Sequence, residues 1–310
     1  MKTLESMKTM KKINRLALAV LAAVALALGC ASQGEIAARQ TGGINENPAA
    51  TVGPVKSGYV LVNGLNMYYE IQGAGRPLVL IHGGVCTIDT CLGKVRLPLA
   101  KNWKTVAVEL QGHGHTADID RPLTFEQMAE DTAALLRQLK IENADFVGYS
   151  LGGGVALRIA MRYPDLVRKL VVIGTPYNND GLVPGLLENF KTIKPEDVPA
   201  EFREAYIKVA PDPKHWSALV TKVMKLGLES RGLRPEEIQS IKAPVLVMIG
   251  DADIVRAEHA VQMFRLLPHA QLAVLPGTDH FLPMQRSDWA VPMIEAFLNA
   301  PMPEPKKETK

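Results

Sequence analysis

The chain of 310 residues is 47% apolar and 22% charged, the balance of an ordinary globular protein, which excludes a disordered polymer and a coiled coil. Its formal charge of +3 comes from the start, where Lys2, Lys8, Lys11, Lys12 and Arg15 face Glu5 alone; without residues 1–29 the chain holds 30 basic and 31 acidic residues, a net of −1. That balance speaks against nucleic acid as a partner and against a basic membrane-binding face.

The first thirty residues read as an address. A lysine-rich start precedes Leu16 to Leu28, an unbroken run of Leu, Ala and Val. The run is short for a membrane span and has the proportions of a signal-peptide core. Leu26-Ala27-Leu28-Gly29-Cys30 resembles a bacterial lipobox. The resemblance implies a signal peptide over residues 1–29, lipid attachment at Cys30 and a membrane-anchored lipoprotein of the cell envelope facing the periplasm. Ala31 and Ser32 would permit outer-membrane sorting. Cleavage after Ala31 or Ser32 would instead release a soluble periplasmic or secreted protein. Both routes leave the cytoplasm.

With Cys30 consumed, Cys86 and Cys91 remain as an even pair in an oxidising compartment. Their spacing either closes a small disulfide beyond His82-Gly83-Gly84 or leaves two small residues near a helix. No second Cys/His pair stands at zinc-ligand spacing, so no metal is expected.

Residues 30–57 are rich in Gly, Ala, Asn, Gln and Pro without hydrophobic period and read as a flexible tether. Tyr59 to Val62 and Leu65 to Ile71 flank Asn63-Gly64, a hairpin signal. Pro77 to Ile81 is a continuous apolar run, the mark of a strand covered on both faces. A helix-length segment to about Lys101 follows, then a strand from Lys104 to Leu110 and the glycine turn Gln111 to Thr116. Thr124 caps an amphipathic helix to Leu139. Asp145-Phe146-Val147 leads into Gly148-Tyr149-Ser150-Leu151-Gly152 and a helix through Tyr163. Leu170 to Gly174 is another buried strand.

The rhythm then changes. Residues 175–241 hold scattered prolines, acids and amphipathic pieces such as Phe202 to Val209 and Trp216 to Leu228, and no strand run; they read as a helical lid. Strands return at Val245 to Gly250 and Gln271 to Leu275, with helices over Ala257 to Leu267 and Asp288 to Asn299. Residues 301–310 form a charged, proline-containing tail expected to be disordered. Alternating apolar strands and helices imply a parallel sheet covered on both faces, with core segments over residues 58–174 and 242–300.

Between a strand and a helix, Gly148-Tyr149-Ser150-Leu151-Gly152 is the spacing of a very tight turn that projects its central side chain. An ordinary glycine turn with a capping serine would read similarly. The context separates the two. His82-Gly83-Gly84 follows a strand, Gly250-Asp251-Ala252-Asp253 follows another, and Gly277-Thr278-Asp279-His280 comes near the end. In type and order these four markers resemble the α/β-hydrolase superfamily, over roughly Gly58 to Asn299. The resemblance implies a mostly parallel eight-stranded sheet with helices on both faces and a helical lid insertion.

It also implies roles. Ser150 would be the nucleophile and His280 its base, since a serine hydroxyl needs a base within hydrogen-bond reach. Asp253, at the family's G-x-x-D position, would orient the imidazole; Asp251 is the alternative, and Asp279 should point elsewhere. The N–H groups of Leu151 and Gly84 would form the oxyanion hole. His82 would brace its loop. His113 and His115, with Asp118 and Asp120 nearby, resemble the family's glycine turn more than a metal site, although Gln111 stands where the family often has Arg and Thr116 where it often has Ser. Phe190, Tyr206, Trp216 and Met224 either line a pocket or form the lid's own core.

The expectation is a carboxylesterase-like serine hydrolase that cleaves an ester or related acyl bond of a small molecule, with no metal or organic cofactor. Carbon–carbon bond hydrolases, perhydrolases, thioesterases, lactonases and proline-type aminopeptidases share this triad. The last would need a lid carboxylate, for which Glu188, Glu201 and Glu204 are available. A non-enzymatic binder of a small ligand on the same fold is the other class.

Overall fold

The computed structural model describes residues 52–303. The signal peptide, Cys30, most of the tether and the tail from residue 304 lie outside the described residues.

Eight strands form one sheet in the order β1-β2-β4-β3-β5-β6-β7-β8. They are β1 (Lys56–Val62), β2 (Leu65–Gln72), β3 (Pro77–Ile81), β4 (Lys104–Val108), β5 (Ala144–Tyr149), β6 (Val167–Ile173), β7 (Val245–Gly250) and β8 (Ala270–Leu275). The β1–β2 hairpin closes at Val62↔Leu65 through Asn63 and Gly64, both at positive φ, as a two-residue hairpin turn demands. β2 pairs with β4 antiparallel, and every later pairing is parallel. β1 begins at Lys56, because Lys56 and Ser57 pair with Ile71 and Glu70. The expected tether of residues 30–57 therefore ends two residues early; polar residues on an edge strand carry no hydrophobic signal.

The central strands read as apolar runs because both faces are covered. Leu78 and Leu80 of β3 pack with α1 (Ile88–Leu99) and the C-terminal α10 (Ser287–Asn299). Val79 and Ile81 face the other way, toward α2 (Phe125–Gln138), α3 (Leu151–Arg162) and α8 (Ala257–Leu266). Thr124 caps α2 by accepting the Gln127 N–H at 3.1 Å.

At the N-terminal end of β5, Asp145 is fully buried. Its carboxylate takes Arg168 Nε at 2.7 Å and Arg76 Nε at 3.0 Å, so the buried charge is compensated on both oxygens. Beside it, Lys169 Nζ donates to the carbonyls of Phe297 and Ala300, fastening the end of α10 to β6.

Between β6 and β7 run α4 (Leu186–Phe190), α5 (Ala200–Val209), α6 (Trp216–Glu229) and α7 (Pro235–Gln239), with no sheet strand among them. The segment is not uniform. α7 packs on α3 and α8, two helices that cover one face of the sheet. A parallel connection must carry the chain back to the start of the next strand, and α7 is part of that return. The stretch expected as one lid thus contains a crossover piece at its end.

Candidate active site

Ser150 sits on the turn between β5 and α3 with φ 52° and ψ −117°, a conformation that costs a non-glycine residue on the order of 1–3 kcal/mol. Bare neighbours make it feasible. A Cβ on Gly148 would fall 2.6 Å from the Gly152 carbonyl oxygen, and one on Gly152 would fall 2.3 Å from the Ile81 oxygen. The Ser150 side chain makes no capping bond to α3. Its backbone is held instead: the N–H donates to Ile173 O at 2.8 Å, and the carbonyl accepts from Gly153 N–H and from Thr175 Oγ1.

The hydroxyl meets a group from another strand end. His280, five residues past β8, brings Nε2 to 2.9 Å from Ser150 Oγ, and its Nδ1 lies 2.8 Å from Asp253 Oδ1 on the loop after β7. With Nδ1–H donated to a carboxylate, Nε2 is left to accept from the hydroxyl. The Asp253 side chain is fully buried, and Oδ1 also takes the Val255 N–H at 3.0 Å. Oδ2 has no partner among the described residues. Against this pair stands Gly174, at φ 57°, where a Cβ would lie 3.0 Å from His280 Nδ1 and 3.1 Å from Asp253 Oδ2.

The other two carboxylates face elsewhere. Asp251 is exposed and accepts the Thr278 N–H at 3.1 Å. Asp279 accepts from Phe281 N–H at 2.8 Å. Of the three candidates, Asp253 alone reaches the imidazole.

The loop after β3 is braced by two buried histidines whose rings lie 4.9 Å apart. His82 accepts the Leu110 N–H on Nε2 at 3.1 Å and donates from Nδ1 to the Gly83 carbonyl at 2.7 Å. His113 accepts the Val85 N–H at 3.1 Å and donates to Gln111 O at 2.9 Å. Each ring accepts a backbone donor, so each is held as one neutral tautomer. Burial drives both pKa values down, to about 3 for His82, assisted by His113, and to about 4 for His113. His113 thereby secures Val85, itself at φ 55° and next to Gly84. Gly84 N–H finds no acceptor among the described residues, and Leu151, as first residue of α3, has its N–H outside the helical ladder.

Cys86 and Cys91 are joined by a disulfide with Cα atoms 5.9 Å apart, both side chains buried. The bridge ties this loop to α1. His115 turns away from His113: its Nδ1 lies 2.8 Å from the buried carboxylate of Glu109, which raises its pKa, and that carboxylate also takes the Ile88 N–H. The His-x-His pair is thus divided between two structural duties.

Helix α6 crosses above this loop. Its Val223 stands over Gly84, where a Cβ would fall 2.9 Å from Val223 Cγ1. The helix is fastened by Asp118, whose carboxylate meets Lys222 Nζ and lies 2.9 Å from His215 Nε2 while Gln111 Nε2 donates to it at 2.7 Å. Trp216 and Tyr206 are buried within the insertion, their rings 5.5 Å apart, as parts of its core. Phe190 packs on Gly227. Two surface cavities, of about 360 and 270 Å³, lie away from Ser150, one near Lys169 and Phe297 and one on the outside of α5 and α6.

Three contributors escaped the sequence reading. Gly174 is visible as a glycine closing a strand run, but nothing in the sequence says what faces it. His113 was assigned to a glycine turn without its bond to Val85. Val223 is one apolar residue among many on an amphipathic helix.

The alpha/beta hydrolase family model matches residues 78–292, a span that runs from β3 into α10 and includes Ser150, Asp253 and His280. The chain belongs to this family. Among relatives, the hydrolase is 26% identical over 251 residues to 2-(acetamidomethylene)succinate hydrolase of Mesorhizobium japonicum, covering 74% of this chain and 90% of that protein. It is 28% identical over 264 residues to serine hydrolase BPHL of Homo sapiens, covering 81% and 89%. A solved membrane phospholipase A, a bacterial virulence factor, superposes with a TM-score of 0.69 at 23% identity, over 79% of this chain and 87% of that one. The meta-cleavage product hydrolase CumD from Pseudomonas fluorescens gives 0.67 at 21%, over 78% and 97%. At those identities the structures bear on the fold alone. The relatives are hydrolases, and this α/β hydrolase is an enzyme of the same kind.

Proposed function

We propose that this α/β hydrolase cleaves an ester or related acyl bond through an acyl-enzyme, with Ser150, His280 and Asp253 as nucleophile, base and orienting acid. The observation that carries the reading is the continuous contact Ser150 Oγ–His280 Nε2–Nδ1–Asp253 Oδ1, at 2.9 and 2.8 Å. Ser150 Oγ attacks the carbonyl carbon as its proton passes to His280 Nε2. The imidazolium that forms is stabilised by Asp253, which stays ionised. The carbonyl oxygen becomes an oxyanion, held by the N–H groups of Leu151 and Gly84. Collapse breaks the bond to the leaving group, which takes the proton from His280. Water, deprotonated by the same nitrogen, then attacks the acyl-enzyme, releasing the acid and free serine. The insertion before α7 serves as the lid. The similarity to 2-(acetamidomethylene)succinate hydrolase supports a small-molecule substrate.

Lipid attachment at Cys30 and export to the cell envelope belong to this proposal as well, supported by the lipobox-like run. Incorporation of a palmitate analogue into the full chain, lost in Cys30→Ser, is the expected result; a label that persists refutes it.

The catalytic reading is tested with a fluorophosphonate probe on the chain without residues 1–30. Labelling should map to Ser150, vanish in Ser150→Ala, and fall by 10³-fold or more in His280→Ala, about the scale on which members of such a triad act. A well-folded wild type that resists the probe and turns over no acyl ester would refute the enzyme reading and favour a ligand-binding role.

A further inference from the structure

We infer that Val223 sets the size of the acyl group and that the enzyme acts on short acyl chains. The inference rests on the acyl-transfer reading above and deepens it. The acyl carbonyl of a bound substrate must lie between Ser150 Oγ and the N–H groups of Leu151 and Gly84, so whatever stands over Gly84 bounds the space beside the acyl carbon. Val223 Cγ1 stands 2.9 Å from the position of a Cβ on Gly84, with Leu151 Cδ1 at 3.5 Å from the same point. Between Gly84 and the helix there is room for a glycine hydrogen and no side chain.

Helix α6 is not free to retreat. Lys222, the residue next to Val223, donates to the Asp118 carboxylate and at 3.1 Å to Arg121 O, both on the loop after β4. One turn earlier, Leu219 is buried, its Cδ1 3.5 Å from a Cβ position on Gly112. One turn later, the Gly227 carbonyl accepts from Asn179 Nδ2 at 3.0 Å. Val223 itself packs against both hydrophobic clusters, the one beneath the sheet and the one above it. The helix is thus pinned on either side of Val223, and the methyl groups of that residue form a fixed ceiling. Val85, Met224 and Phe281 pack against the same apolar cluster as Val223. A short, uncharged acyl group fits; a long chain would have to displace the helix.

The experiment compares p-nitrophenyl acetate, butyrate and octanoate on wild type, Val223→Ala and Val223→Leu, with fluorophosphonate labelling of Ser150 run on all three. Wild type should prefer acetate or butyrate over octanoate in kcat/KM by at least about tenfold, the scale on which a pocket rejects added methylenes. Val223→Ala should raise the octanoate-to-acetate ratio by about tenfold, and Val223→Leu should lower butyrate relative to acetate. Labelled, active enzymes whose three profiles coincide overturn the assignment of Val223 while leaving the acyl-transfer reading intact. A wild type that prefers octanoate overturns the short-chain class. Absence of both labelling and turnover overturns the two together.

Discussion

Replacing His113 with glutamine separates two effects that share one side chain. In the unfolded chain the imidazole takes a proton near pH 6.5, whereas burial holds the folded value at about 4. Between those limits the unfolded state binds a proton that the folded state refuses. Stability therefore falls as the solution is acidified, beginning below about pH 6.5 and levelling below about pH 4. At about 1.4 kcal/mol per pH unit, that window is worth about 3 kcal/mol, a large share of a typical folding free energy. His82, depressed to about 3, acts in the same direction. Glutamine offers an oxygen to Val85 N–H and an N–H to the Gln111 carbonyl, but binds no proton. His113→Gln should lose about 1–2 kcal/mol at pH 7.5 through imperfect hydrogen bonds. Between pH 7.5 and pH 4 it should then lose about 3 kcal/mol less than wild type. Urea denaturation at both values of pH measures the difference. Equal acid losses in the two proteins would refute the claim that a neutral His113 braces the loop.

Gly174→Ala places a methyl group against the Asp253–His280 pair at a left-handed φ; activity and labelling of Ser150 should fall by at least about tenfold with the circular dichroism unchanged, since small displacements of reacting groups are costly, and an active variant would sink this. Arg168→Ala leaves the fully buried Asp145 with Arg76 alone; a loss of about 3–5 kcal/mol in urea denaturation is expected, and a loss under 1 kcal/mol would contradict it. Burial pulls the Asp118 carboxyl upward, but hydrogen bonds from Lys222 and Gln111 outweigh that and hold it below the usual range. Its pairing thus stabilises the fastened helix above about pH 4 and is lost as pH falls through the lowered folded value. Asp118→Asn should be cut faster by protease within residues 175–241 at pH 7, with no further acid-induced rise; cleavage at the wild-type rate would contradict the fastening. Cys91→Ser opens a loop whose closure is worth about 2 kcal/mol in the chain-entropy picture, and thermal denaturation should show a fall of a few degrees; an unchanged Tm would mean the bridge constrains nothing.

Much of this was legible because the elements obey local rules. Apolar runs such as Pro77 to Ile81 and Val245 to Gly250 are strands since both faces are covered, and Asn63-Gly64 turns a hairpin. The glycines around Ser150 announced an elbow because only there must the backbone come so close. The choice between Asp251 and Asp253 needed coordinates: two residues apart on one loop, they differ in which strand-end groups face them, Thr278 N–H for one and His280 for the other. The disulfide stayed open for the same reason, since spacing does not fix the approach of two Cα atoms. Illegible altogether were contacts across long stretches of chain, Val223 over Gly84 and His113 beneath Val85, where an ordinary residue gains its meaning from its neighbour. The crossover helix α7 was absorbed into the insertion because helical periodicity does not report which face of the sheet a helix covers.

The strand order has a consequence for how such an enzyme can change. Ser150, Asp253 and His280 follow β5, β7 and β8, and β6 lies between the first two. The chain leaves the sheet after β6, wanders for about seventy residues and rejoins at β7, whose register with β6 is set by strand pairing alone, Ile173 beside Met248. Mutation within most of the excursion can therefore accumulate, or a different excursion be inherited in its place, while the spacing of the strand ends that carry the three groups is kept by the pairing of β5 through β8. Under the acyl-transfer mechanism proposed above, chemistry and preference are transmitted on separate parts of one chain, and a lineage can alter the second without reinventing the first.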